Sequence, residues 1–167
     1  MGTGFRLTEL VAALSLATDL GTGQPIEHAL RTCTLSTSLA GELGLDAAST
    51  ADIYHVALLR FLGCTADAPE TALLAGGDNI AFLSAMASVI MGSTGETVAT
   101  LVRSVGRGRS AVRRIRLVAG ALSDPNGAAR SLSAHCEVGA RLAVRLGLGD
   151  GVVDALAHAY ERWDGRG

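Results

Sequence analysis

The sequence contains no lysine, only three prolines, only three cysteines and only six aromatic residues among its 167. Each shortage excludes something. The cysteines, Cys33, Cys64 and Cys136, are an odd number without close spacing. They make neither a disulfide framework nor a zinc-type pair, and they read as reduced, buried thiols. No apolar run reaches the roughly 18 residues that a membrane span requires; the stretch from Ile80 to Met91 is too short and is closed by Gly92. Only Arg6 precedes the first apolar stretch, and Glu9 and Asp19 bracket it, so no secretory signal is evident. A cytoplasmic protein without membrane contact is expected. The alternating pattern of a strand is not evident anywhere.

What is present is aliphatic. The hydrophobic fraction is 49% with 4% aromatic, so the core is built from Ala, Leu and Val, which suits close helix–helix packing. The length fits one domain with a real core. Charged residues make up 18%, below the roughly 25% usual in soluble domains. Such a chain covers part of its surface with a partner, so a homodimer or further domains of a parent protein are expected. The net charge of -2 is unevenly spread. Residues 1–102 carry three Arg against ten acids, and residues 103–167 carry eleven Arg against six acids. The missing lysine points to a GC-rich genome rather than to a function.

Helical signals run along nearly the whole chain. Phe5 to Asp19 is apolar at helical spacing, with Leu10, Leu14 and Ala17 on one face. Pro25 opens a second helix to about Glu42. Asp46 is an N-cap for a third, running to Leu62. Gly63 to Gly77 reads as a loop around Pro69, with room for one helical turn. Asp78 caps a helix from Asn79 to Ile90. A long segment from Glu96 to Leu122 follows, interrupted at Gly106 and Gly108. Asp124-Pro125-Asn126-Gly127 is a turn. The last two helices run from Ala128 to Leu146 and from Asp150 to about Tyr160. The fold expected is all-α, a single-domain bundle of about seven or eight helices. The helix ending Leu-Gly-Leu occurs twice, at Leu43 to Leu45 and at Leu146 to Leu148.

Two blocks carry motifs. The first is His28 with Arg31, then Leu39-Ala40, Leu43-Gly44-Leu45, and Ala57-Leu58-Leu59-Arg60-Phe61-Leu62-Gly63. The second is His135-Cys136-Glu137-Val138-Gly139, Leu146-Gly147-Leu148, and Glu161-Arg162-Trp163-Asp164-Gly165-Arg166-Gly167. In order and spacing, from about residue 25 to 167, they resemble the HD-GYP branch of the HD phosphohydrolase superfamily. The stretch from Asp19 to His28 is also similar to the HD-like regions of actinobacterial regulators that carry a LuxR-type helix-turn-helix further on. The resemblance implies an HD-type helical fold and a place in a signalling or transcription-regulating protein.

The departures from that family decide the functional expectation. Its members hold two or three metal ions through His nitrogens and Asp oxygens. Here the adjacent His-Asp pair is Arg60 and Phe61, the following lysine is Cys64, and the later His-His pair is Ala159 and Tyr160. Only His28 and His135 remain of the ligands within this span. A catalytic divalent ion usually needs at least ~3 protein ligands, and Arg60 puts a positive charge where a cation would sit. A guanidinium there suits an anion such as phosphate. The expectation is a regulatory or ligand-binding module without phosphodiesterase activity and without a cofactor, whose vestigial metal or anion pocket is His28, Arg60 and His135 and whose ligand is a nucleotide or another anion.

Other readings stay open. A phosphohydrolase acting on a cyclic dinucleotide would need iron or manganese, with His28, His135 and Asp164 as the available 2-His-1-carboxylate set. Asp67 and Asp78 are further oxygen donors that nothing in the sequence places. A structural dimerisation module is the third reading. Glu161, Trp163, Asp164 and Gly165 form either a substrate loop or a helix-ending turn with Trp163 against the core. His55 and His158 read as structural or exposed, since a one-residue shift turns a helical side chain by ~100°. The run Arg103, Arg107, Arg109, Arg113, Arg114, Arg116 offers a face to an acidic partner, such as the N-terminal half of a second copy, or is simply solvated with its stems on apolar surface. With so little aromatic interleaving, direct nucleic-acid binding is not expected. The chain ends where the family continues, and so reads as a fragment of a longer protein.

Overall fold

A computed structural model describes residues 6–65, 68–89, 93–124, 126–162 and 164–165. Among them the chain is all-helical and contains no strand. The helices are α1 (Leu7–Thr22), α2 (His28–Glu42), α3 (Ala47–Leu59), α4 (Ala68–Ala75), α5 (Asn79–Ala87), α6 (Thr94–Ser104), α7 (Ala111–Ser123), α8 (Gly127–Arg145) and α9 (Asp150–Ala157), with a 3₁₀ turn at Leu62–Thr65. That is nine α-helices among the described residues, one or two more than the sequence pattern predicts.

Three differences have local causes. The segment Gly63 to Gly77 is not a loop: α4 occupies its middle, and Pro69 falls in its first turn, where a missing N–H costs nothing. The long helix expected over Glu96 to Leu122 is two helices. Gly106 and Gly108 take φ of 65° and 77°, a backbone state that ends a right-handed helix. And α2 begins at His28, not at Pro25. Its N-cap, Glu27, lies at φ 66°, a conformation that disfavours non-glycine residues. Asp19, fully buried at the end of α1, supplies what that cap lacks. Its Oδ2 accepts the amide of Ala29 at 3.2 Å.

The two Leu-Gly-Leu motifs end α2 and α8 in the same way. The amide of Leu45 donates to the carbonyl of Ala40, and that of Leu148 to the carbonyl of Ala143, both at 3.0 Å. Each stop reverses the chain into the next helix, giving the hairpins α2–α3 and α8–α9, which meet through α3 and α9. Asp46 caps α3 as expected, accepting the Ser49 amide at 2.7 Å.

Between the hairpins and α1 lies the main core: Val11, Ala29, Cys33, Ala57, Leu58, Leu59, Ala143, Val152 and Leu156. A second, smaller cluster of Ala75, Phe82 and Val105 joins α4, α5 and α6. Among the described residues no helix is long and apolar enough to cross a membrane.

Candidate functional site

The site lies where α3 ends. Arg60 is the residue at which α3 closes, its amide still bonded to the Val56 carbonyl at 3.0 Å. A cation is favoured there, because the last carbonyls of a helix carry partial negative charge. The Arg60 side chain is exposed. Its Cζ lies 4.9 Å from the centre of the Phe61 ring and 6.0 Å from that of Tyr160, within range for cation–π attraction. Each ring in turn leans on one of the two histidines. The His28 and Phe61 ring centres are 5.5 Å apart and tilted by 56°. Those of His135 and Tyr160 are 6.3 Å apart and tilted by 54°. His28, Phe61, Arg60, Tyr160 and His135 thus form one continuous row from α2 to α8.

Backbone packing fixes the row. Gly63, in the 3₁₀ turn, lies so close to α8 that a Cβ there would run into the backbone carbonyl of His135. Only glycine allows that approach. It brings Cys64 against the far side of Tyr160, with Sγ 3.9 Å from the phenol oxygen. Burial pushes the Tyr160 phenol well above its ordinary pKa, the Cys64 thiol adds to that, and the Arg60 guanidinium opposes it. Tyr160 is therefore a neutral hydrogen-bonding group at any physiological pH. In α8, Ser131 Oγ stands 3.4 Å from His135 Nε2. Behind Cys64, a mostly apolar hollow of about 350 Å³ opens between α1, α4 and α5, with Thr18, Thr22 and Asn79 among its lining.

His28, Arg60 and His135 therefore come into one neighbourhood, linked through rings. The C-terminal segment does not join them. The Asp164 carboxylate is held by Arg162 at 2.5 Å, and among the described residues His28, His135 and Asp164 do not stand together as a three-ligand cluster. Glu161 is exposed, and its amide donates to the carbonyl of His158 at 2.9 Å. The Gly165 amide donates to the Arg162 carbonyl at 2.9 Å. Trp163, Asp67 and Gly167 lie outside the described residues. Asp78 is an N-cap, accepting the Ala81 amide at 3.0 Å. His158 is exposed, and its Nδ1 sits 2.9 Å from the Asp154 carbonyl, one turn back. His55 makes the equivalent contact with Ala51 at 2.8 Å.

The iron or manganese that the family resemblance implies does not fit these residues. Among the described residues, no three His, Cys, Asp or Glu side chains stand together as a metal would need. Each imidazole lies against an aromatic ring, and a guanidinium occupies the middle of the row. What the row can do is present fixed positive charge beside two imidazoles and two flat rings.

Comparison with known proteins adds a likeness. The chain is similar to a phosphodiesterase. Over 164 residues it is 28% identical to the 3'3'-cGAMP-specific phosphodiesterase 3 of Vibrio cholerae. The match covers 98% of this chain but only 35% of that protein, so the chain spans about a third of its relative's length. No protein-family model matches the chain, and no solved structure does. The likeness points the same way as the phosphohydrolase resemblance of the two motif blocks. Taken alone, it favours the enzyme reading over the non-catalytic one.

Sequence reasoning named Phe61 and Tyr160 only as standing where the family resemblance implies metal ligands, and Cys64 as standing where it implies a lysine, yet they are the material of the site. Two of the six aromatics standing where the resemblance implies ligands were the available signal. Asp19, which places the first turn of α2 and with it His28, was also missed. Its mark was a carboxylate within an apolar helix.

Proposed function

We propose that this chain is a ligand-binding domain of phosphodiesterase descent, in which Arg60 receives a phosphate group, and that it serves as a regulatory part of a larger signalling or transcription-regulating protein. The observation that carries the reading is the Arg60 guanidinium, set between Phe61 and Tyr160 where the family resemblance places metal ligands. A guanidinium is a planar, permanently charged fork for phosphate oxygens. The adjoining rings offer a surface on which a base can lie. The relative's substrate, 3'3'-cGAMP, supplies the ligand class: a cyclic dinucleotide.

Calorimetric titration with 3'3'-cGAMP, followed by product analysis with iron or manganese present, tests this. Binding is expected, with the ligand recovered uncleaved. Arg60→Ala is expected to weaken it by roughly tenfold to a hundredfold, the value of a charge-assisted hydrogen bond. Undiminished binding by Arg60→Ala sinks the proposal.

The second reading is a metal-dependent phosphodiesterase, and the likeness to the Vibrio enzyme favours it. Cleavage that depends on added metal and is lost in His28→Ala would establish it. A purely structural dimerisation module, the third reading, predicts no ligand-induced rise in melting temperature.

A further inference from the structure

α6 and α7 keep an apolar side open. None of the 13 residues of α7 is buried, and Val112 and Ile115 are 71% and 69% exposed. Val102 of α6 with Ile115, Val118 and Leu122 of α7 line a groove of about 700 Å³, with Arg109 and Arg114 also in its wall. Residues 97–123 hold six Arg and no acid. The expected single arginine face does not form, because the helix breaks at Gly106 and Gly108. Instead Arg107 Nε and Arg114 Nη2 turn onto the last carbonyls of α6, at 2.8 Å from Arg103 O and 3.0 Å from Val102 O. Arg103, Arg109, Arg113 and Arg116 remain exposed, and Arg109 lies in the groove wall itself.

α2 bears the complement. Leu35, Leu39 and Leu43, spaced four residues apart, form a ridge that is 73%, 60% and 67% exposed. Exposed Glu42 and Asp46 stand at its end. An apolar ridge at helical spacing is what a helix-binding groove receives, and opposite charge at the margins selects between partners. The charged residues in the groove wall, Arg109 and Arg114, are both cations, and the ridge ends in anions.

We infer that the α6–α7 groove receives the α2 ridge of a second copy of this chain. The contact joins unlike surfaces, so it closes into a pair when it is made twice and otherwise propagates. It covers two apolar faces that the fold leaves in water.

Sedimentation of the whole chain over a wide concentration range tests it, with two variants. Leu39→Glu spoils the ridge and Ile115→Glu spoils the groove. Both positions are exposed, so helicity and melting temperature should hold. Each variant alone is expected to weaken self-association by roughly tenfold or more, as removal of a central contact does. An equal mixture is expected to associate again, because the Leu39→Glu copy keeps its groove and the Ile115→Glu copy keeps its ridge. A mixture that stays monomeric overturns the inference, as does a wild-type chain monomeric throughout. Should either variant unfold, the charge reversal Arg109→Glu in the groove wall replaces it, and unaltered association then overturns the proposal. Cosedimentation of wild-type chain with anionic phospholipid vesicles, without self-association, would assign the groove to a membrane surface and overturn it too.

Discussion

The bundle formed by α1, α2, α3, α8 and α9 and the excursion formed by α4 to α7 are made from the same aliphatic residues, yet they pack differently. In the bundle, Val11, Leu58, Leu59, Val152 and Leu156 are sealed from water, and helices distant in sequence share one core. In the excursion the core shrinks to Ala75, Phe82 and Val105, and α7 adds only the partly buried Leu117 and Val118, with no fully buried residue. The difference teaches where specificity is stored. Both blocks that resemble the family fall in the bundle, as do all five members of the row from His28 to His135. The excursion instead carries the exposed apolar groove and the arginines. One region holds a site rigidly, and the other presents surface.

The sharpest way to break that comparison is to remove core volume from each side. Leu59→Ala is expected to cost about 2–5 kcal/mol, a large part of the roughly 5–15 kcal/mol that holds a domain folded. Urea unfolding would show it as a drop in midpoint for the entire chain. Phe82→Ala should act locally. Hydrogen exchange is expected to accelerate in α4 to α7 while α2, α3, α8 and α9 stay protected. Equal acceleration everywhere would mean that the two regions are one cooperative unit and that the contrast in burial has no energetic counterpart.

A smaller effect sharpens the bundle's role. Asp19 is fully buried, and one of its oxygens holds the Ala29 amide. Removing it strands that donor, so Asp19→Ala is expected to destabilise by about 1–3 kcal/mol. That corresponds to roughly 2–12 °C in melting temperature for a chain of this size. Asp19→Asn keeps an acceptor oxygen and should recover much of the loss. If Asp19→Ala melts like the wild type, the first turn of α2, and His28 with it, is placed by something else.

How much of this was legible beforehand follows the same division. The bundle's hairpins were readable because their signals are local: Asp46 before α3, and a glycine between two leucines at both helix stops. The break near Gly106 was marked, but whether two glycines end a helix or merely weaken it depends on packing. Here Val105, fully buried, anchors the break. α4 was missed because eight residues carry too little periodicity to separate a helix from a loop. At the site, the departures from the ligands that the family resemblance implies were readable residue by residue. The row built from their replacements was not, because it rests on a contact between Gly63 and the His135 backbone across more than seventy residues of sequence.

The smallest effect concerns the seal of that row. Tyr160 lies between Cys64 and His135, and burial, aided by the thiol, holds its phenol neutral far above the ordinary range near pH 10. The sign follows from linkage. The folded state keeps a proton that the unfolded chain releases, so stability is undiminished below about pH 10 and falls as pH rises above it. Burial, and then Cys33, also raises the phenol of Tyr54, the other tyrosine, so the measurement belongs in Tyr54→Phe. There, phenolate absorbance is expected to grow only as helicity is lost, in a single step. A phenolate that forms near pH 10 with the helices intact would mean that water reaches Tyr160. The row would then be as open as the α6–α7 groove, and the contrast between the two regions would fail at the site itself.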